Sequence, residues 1–412
     1  IIFMELLITK ISRIHNRTGK IIYSAVRSRA YLFASVCGCL YLFNSSAKAV
    51  VELSGYGALA ADVEVSGEYS SNISYNSAEQ DDFIYQVFPR LRYRFDEGAI
   101  RVEAYAGVDF VRYDDYNEYD SEDIKSRIKL EYPYVENSSD RRFDVLVEAG
   151  YNENTSPNSG VQAITETEEI NFHLAGRYYI SEIFYLRAGP EYLDRQSVTS
   201  GYDDVTEFAI PIEFFYQYSE QLSFGLGYRY AEVDVGDQTP GDGVEADSID
   251  HSIYLSTIGK VLPSVTAALR IGAQSREYEN DIYDDETGFY MESLFQWEAS
   301  EQTKVELSVG SAFDTTIANE SREVFFAGVE VRHSFNEQIR SEASLGYEDA
   351  DYTQSVDGRK DESFSFALGA TYVLIEERLE LGGRIAYSDR ESTRLVSDYD
   401  VLSAKLSINY LF

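Results

Sequence analysis

Beyond its first fifty residues the chain alternates apolar and polar side chains with period two, and after Phe43 it has no apolar run long enough to form a membrane helix. Phe364, Phe366, Leu368, Ala370, Tyr372 and Leu374 fall on one side of an extended segment, and Leu222, Phe224, Leu226, Tyr228 and Tyr230 do the same. The pattern recurs at Ile170, Phe172, Leu174, Tyr178 and Ile180, and again from Ile100 through Val102, Ala104, Ala106 and Val108 to Phe110. Each face runs for about ten residues, the length a tilted strand needs to cross a hydrocarbon layer. With 44% hydrophobic residues, the chain must cover its apolar surface by alternation rather than in runs.

The breaks between these segments are of two alternating kinds. Short ones recur as Ser181-Glu182, Ser219-Glu220-Gln221, Ser300-Glu301-Gln302, Asn336-Glu337-Gln338 and Glu376-Glu377-Arg378, with Asp96-Glu97-Gly98 and Leu262-Pro263 as variants. Long ones, rich in Asp, Asn, Gly and Ser, cover residues 114–123, 154–163, 236–247, 279–286, 353–361 and 391–398. Tight turns on one side and long acidic loops on the other are the asymmetry of an outer-membrane barrel, with its turns in the periplasm and its loops outside. The spacing predicts about 18 strands, starting near residues 61, 82, 99, 121, 142, 165, 183, 204, 221, 247, 264, 287, 302, 321, 338, 361, 378 and 399. A soluble sandwich or propeller would have to bury every apolar face against another sheet, whereas here the polar face is as long as the apolar one and heavily charged. In lipid only a closed sheet leaves no unpaired edge. The expected fold is therefore all-β: a transmembrane, antiparallel up-and-down β-barrel with short periplasmic turns and longer extracellular loops.

The two ends carry their own signals. Residues 10–29 are basic, residues 30–43 are uncharged, and Asn44-Ser45-Ser46-Ala47-Lys48-Ala49 offers the small-x-small pattern of a signal peptidase site. Residues 1–49 are thus expected to be a signal peptide with a basic leader, cleaved after Ala49 with Ala47 as the other small position. Residues 50–60 would form a periplasmic segment and 61–412 the barrel. The apolar core continues past Cys37-Gly38-Cys39, which argues against a lipoprotein box. Removing the leader takes away seven basic residues and one acidic residue, moving the formal charge from −36 to −42. So acidic a chain is a poor partner for nucleic acid. Both cysteines lie in the leader, leaving no disulfide or thiolate metal site beyond it, and no cofactor is implied. At the other end, residues 402–412 alternate up to Phe412. Lys405, Tyr410 and Phe412 resemble the carboxy-terminal signal read by the bacterial barrel-assembly machinery, with Ser407 where glycine is usual.

Opposite the apolar stripe, the sequence places Arg90, Arg92 and Arg94 on one strand, Arg101 and Glu103 on the next, then Arg177, Arg187, Arg229 and Arg270, and finally Glu330 with Arg332, Arg340 and Arg384. These are the expected pore-lining residues, because charges inside a wide barrel imply water. Arg and Glu on neighbouring strands would pair with one another as well as with a solute. The bunching of Arg90, Arg92 and Arg94 marks a candidate constriction or selectivity patch. Most of the 34 tyrosines suit an interfacial girdle, while inward-facing Tyr105, Tyr179, Tyr185 and Tyr290 could stack on passing sugar rings. His173, His251 and His333 are isolated, which gives little support for catalysis. Expected partners are outer-membrane lipid and lipopolysaccharide together with the barrel-assembly machinery.

One segment resembles a known family. Glu68-Tyr69-Ser70-Ser71-Asn72-Ile73, a polar spacer, and then Asp81-Asp82-Phe83-Ile84-Tyr85-Gln86-Val87-Phe88-Pro89-Arg90-Leu91 resemble the opening of the putative β-barrel porin type 2 family. The resemblance implies a bacterial outer-membrane pore, often linked to exopolysaccharide export and so to periplasmic polysaccharide-export components. Two other readings stay open: a structural or adhesive barrel whose acidic loops bind a partner, and a barrel-embedded hydrolase.

Overall fold

The structure, a computed structural model, describes residues 51–133, 142–236, 246–355 and 358–412. The expected leader, its expected cleavage site at Ala47 and Ala49, and most of loop 236–247 lie outside the described residues. Eighteen strands follow in chain order. They are β1 Ala58–Ser70, β2 Asp82–Phe95, β3 Arg101–Tyr113, β4 Ser121–Tyr132, β5 Phe143–Asn158, β6 Ala163–Tyr179 and β7 Phe184–Ala188 continued as Glu191–Ser197. Next come β8 Val205–Ser219, β9 Leu222–Val235, β10 Ser248–Leu262, β11 Val265–Tyr278, β12 Glu286–Glu298 and β13 Thr303–Thr315. The set ends with β14 Ser321–Ser334, β15 Ile339–Asp351, β16 Lys360–Ile375, β17 Leu379–Ser392 and β18 Tyr399–Leu411. Every start lies within three residues of the position read from the sequence.

Each strand pairs antiparallel with its chain neighbours. The ring closes where β1 meets β18, from Asp62↔Leu411 to Ser70↔Ser403, with Phe412 N–H donating to Ala61 O (3.0 Å). Residues Val51–Glu52 form a short hairpin back onto the start of β1. The ladder of β7 is interrupted at Gly189-Pro190, where proline has no N–H to give, yet the register on either side is unchanged.

Side-chain chemistry at the short turns explains their recurrence. Ser181 Oγ, Ser219 Oγ, Ser300 Oγ and Asn336 Oδ1 each accept the backbone N–H two residues on, at 3.4, 3.3, 3.3 and 2.8 Å. These small local rings replace a backbone turn bond and fix the chain reversal. The outward face carries large exposed apolar groups, including Leu226, Ile253, Leu255, Leu368, Ile385 and Leu406. In water such a continuous band would be a liability; in a bilayer it is the solvated surface.

One expected loop is not a loop. Residues 154–163 continue β5 and β6 into a long hairpin whose tip is only Ser159–Gln162. Thr155 is held by Asp123 through both its N–H (3.1 Å) and its Oγ1 (3.0 Å), so pairing carries on past the point where the apolar alternation stops. The only helices among the described residues are short 3-10 turns at Asn117–Tyr119 and Leu395–Ser397.

Candidate functional site: a charged bore crossed by its outer loops

Directly paired residues share a face, so the register fixes which side chains point inward. Arg94 pairs with Glu103, Arg177 with Arg187, Arg332 with Glu342 and Arg384 with Lys405, all opposite the apolar stripe. By the same register Arg90, Arg92, Arg101, Arg229, Arg270, Glu330 and Arg340 lie on that inner face too. Around the bore they are joined to carboxylates. Arg90 and Arg92 both bind Asp62, at 2.6 and 2.7 Å, and Arg94 reaches Asp96 (2.9 Å). Arg101 pairs with Glu103, Arg177 with Asp144, Arg229 with Glu207, Arg332 with Glu330, Arg340 with Glu380 and Arg384 with Glu342. Glu213 gathers Arg270 (3.0 Å), Arg187 (3.6 Å) and Ser256 Oγ (2.8 Å).

The Arg90, Arg92 and Arg94 group sits at the periplasmic end of β2, folded onto its carboxylates. The segments that cross the bore lie at the opposite end. There Arg359 is 1% exposed. It is clamped bidentately by Asp361 (2.7 and 3.1 Å), bound to Glu320 (2.9 Å) and stacked 4.0 Å above the Tyr352 ring. Both of its terminal nitrogens also donate to Gly160 O (3.3 Å), on the β5–β6 tip from across the ring. Arg390 donates to Ser159 O on the same tip, and Arg394 reaches Glu320 (3.3 Å). Loop 316–320 turns inward as well. Ile317 O accepts from Asp203 N, Asn319 Oδ1 accepts from Ala246 N (both 2.8 Å), and Ile317 packs into a small apolar cluster with Val205, Val233, Val235, Ala246 and Tyr278. The β1–β2 loop completes the cover: Asn76 donates to Gln162 O (3.4 Å), and Tyr75 stacks on Tyr399 at 5.2 Å. Burial, then the neighbouring Tyr399 and Glu68, raise the Tyr75 phenol above its ordinary value.

Sequence reasoning passed over Arg276, Arg359 and Arg390, the outer-mouth cations with the deepest burial. Their only signal is position: arginines in predominantly acidic outer segments. Arg276 is closed in by Asp250 (two bonds of 2.7 Å), Thr315 and Ser321.

The inward tyrosines are not presented to a solute as expected. Tyr185 (4% exposed) and Tyr290 (7% exposed) lie flat in the wall, Tyr185 stacked on Phe215 and Tyr290 against Tyr254. Glycines on β9 make room for this: a Cβ on Gly227 would come within 2.2 Å of the Tyr254 ring. Tyr105 and Tyr179 are half-buried, and Tyr179 shares Arg177 with Asp144. Among the histidines, His173 points inward, 3.9 Å from Glu191. His251 faces outward in the tyrosine belt, 2.7 Å from Tyr228 OH, and outward-facing His333 lies 2.9 Å from Thr303 Oγ1 at the periplasmic rim. Lys405 points into the bore and donates to Gln86 (3.0 Å), while Tyr410 and Phe412 pack edge to face at 4.9 Å on the outer surface.

The motif residues at the start of the barrel act as loop fasteners. Asn72 is fully buried and donates to Asn76 O (2.7 Å) and Asp400 O (3.3 Å), tying the β1–β2 loop to β18. Asp82 accepts backbone N–H groups of Phe83, Asp115 and Tyr116, binding β2 to the β3–β4 loop.

Comparison with known proteins adds a partial match to this geometry. Residues 260–410 match the family model described as putative beta-barrel porin 2. The chain is an outer-membrane-type β-barrel whose second half is similar to that family. The match covers the second half of the barrel rather than the opening segment at residues 68–91. Among solved structures, the chain is similar to the outer membrane protein OpdK of Pseudomonas aeruginosa, with 10% identity, 86% of this chain and 99% of that chain covered, and a TM-score of 0.47. OccK2 (OpdF) of the same organism gives 9% identity, 86% and 97% coverage and a TM-score of 0.48. OpdQ gives 12%, 86% and 98%, and 0.44. No curated protein matches the chain in sequence.

Proposed function

We propose that this barrel passes polar solutes or polysaccharide across the outer membrane, within an exopolysaccharide export system. The observation that carries the reading is the inner face: from β2 to β18 it bears Arg, Lys, Asp and Glu, many of them paired with one another, so the bore can hold water and a polar chain. The export setting follows from the family resemblance. It brings with it three classes of partner: lipopolysaccharide at the outer rim, the assembly machinery at the Tyr410–Phe412 end, and periplasmic export components at the turns. Arg92 and Arg94, at the periplasmic end, contribute to ion preference. Planar-bilayer recording of refolded protein tests the reading: discrete conductance steps are expected, with anion preference reduced when Arg92 and Arg94 are changed to Ser. A barrel that passes no current, with its outer loops intact or released, would instead support the structural or adhesive reading, which the crossing of the outer mouth favours.

A further inference from the structure

The bore is electrically lopsided. The deepest of its outer-half arginines are sealed away: Arg276 and Arg359 are 1% exposed and Arg390 is 3% exposed, while Arg195 and Arg394 (33% each) and Arg322 (18%) are partly exposed and each paired with a carboxylate. The outer loops 71–81, 114–120, 198–204, 279–285 and 316–320 contain Asp or Glu and no Lys or Arg, and loops 352–359 and 393–398 carry one arginine each, Arg359 and Arg394, both bound to Glu320. At the periplasmic end of the wall formed by β13–β18 the cations are accessible instead. Lys304, Arg332, Arg340, Arg384 and Lys405 line one cleft of about 460 Å³. Its floor is open because Gly369, Thr371, Gly382 and Ser407 put little bulk there. Arg332, Arg340 and Arg384 are 59%, 50% and 49% exposed.

The difference in exposure decides what each set can do. An exposed Arg–carboxylate pair is worth about 0–1 kcal/mol, so an incoming carboxylate can replace Glu330, Glu342 or Glu380 at almost no cost. Breaking a buried pair costs about 3–5 kcal/mol, so Arg276 and Arg359 stay with their partners. A confined row of cations also concentrates anions at its own mouth, whereas the acidic loops repel them at the other.

From this, and resting on the pore reading, we propose that the periplasmic cleft is the loading site for an acidic polysaccharide, a chain carrying carboxylates at sugar-sized intervals, which enters from the periplasmic side only. The test uses the full barrel in planar bilayers, its orientation read from a Leu395→Cys label on an outer loop. Polygalacturonate oligomers are added to one side at a time, with neutral dextran of the same length as control. Current blockades are expected from the periplasmic side and at least tenfold less often from the outer side. The triple change R332Q/R340Q/R384Q should lower the periplasmic rate at least tenfold, while R127Q, on another part of the wall, should not. Equal blocking from both sides, equal blocking by dextran, or indifference to the triple change would overturn the proposal. If the barrel carries no current, the pore reading fails on its own. Calorimetric titration of polygalacturonate into detergent-solubilised protein then decides the cleft: binding lost in the triple variant supports it, and no binding removes it.

Discussion

At the scale of single residues, the structure separates charges that hold the barrel together from charges that face its water. Asp250 exists to neutralise Arg276 in a site closed to solvent, so removing it strands a buried cation. Asp250→Ala is expected to cost about 3–5 kcal/mol in urea unfolding from lipid vesicles, with much of that recovered when Arg276→Met is added. Gly259 marks a different constraint. Its φ is +125°, and a Cβ there would sit 1.8 Å from Gln221 O. Gly259→Ala should therefore destabilise the β9–β10 register by at least about 1–3 kcal/mol, seen as a lowered temperature for loss of the compact band in gel electrophoresis. Which face of its strand an arginine takes was legible from alternation, because side-chain period and pleat are the same fact, although Arg276, Arg359 and Arg390 were passed over. Which carboxylate each would bind was not: Arg90 and Asp62 are 28 residues apart and meet only through the β1–β2 register.

At the scale of elements, strands and loops differed in how well they could be read. Strand starts came out close to the sequence expectation because four of the short turns carry their own Ser or Asn acceptor and each strand its own apolar stripe. The loops carry no such period. Nothing in Thr316-Ile317-Ala318-Asn319-Glu320 says that it turns into the bore; its position depends on Arg359, Asp203 and Ala246, supplied by three distant parts of the chain. That dependence makes the cover testable. Arg359→Ala should free loop 316–320 and the β5–β6 tip together, raising single-channel conductance and the size of neutral polymer admitted, whereas the control Arg127→Ala should keep the original polymer cut-off. On the strands, Leu255 faces outward at 63% exposure. Leu255→Arg is expected to cost about 2–4 kcal/mol if that position lies near the bilayer midplane, measured as reduced folding yield into vesicles.

At the scale of the whole molecule, the central claim is a closed ring whose two faces meet two solvents. Closure follows from the β1–β18 pairing, and it removes the edges that an open eighteen-stranded sheet would leave unsatisfied in lipid. The measurement that tests this most directly is spin-label accessibility along β16 in reconstituted membranes. The only two cysteines of the sequence, Cys37 and Cys39, precede the described residues, so a barrel refolded from residues 50–412 offers a thiol-free background. Labels placed one at a time from residue 364 to 373 should alternate: Phe364, Phe366, Leu368, Ala370 and Tyr372 reached by oxygen from the lipid, and Ser365, Ala367, Gly369, Thr371 and Val373 reached by a water-soluble nickel complex. Uniform accessibility to either probe along the strand would contradict a lipid-facing exterior around a wet bore.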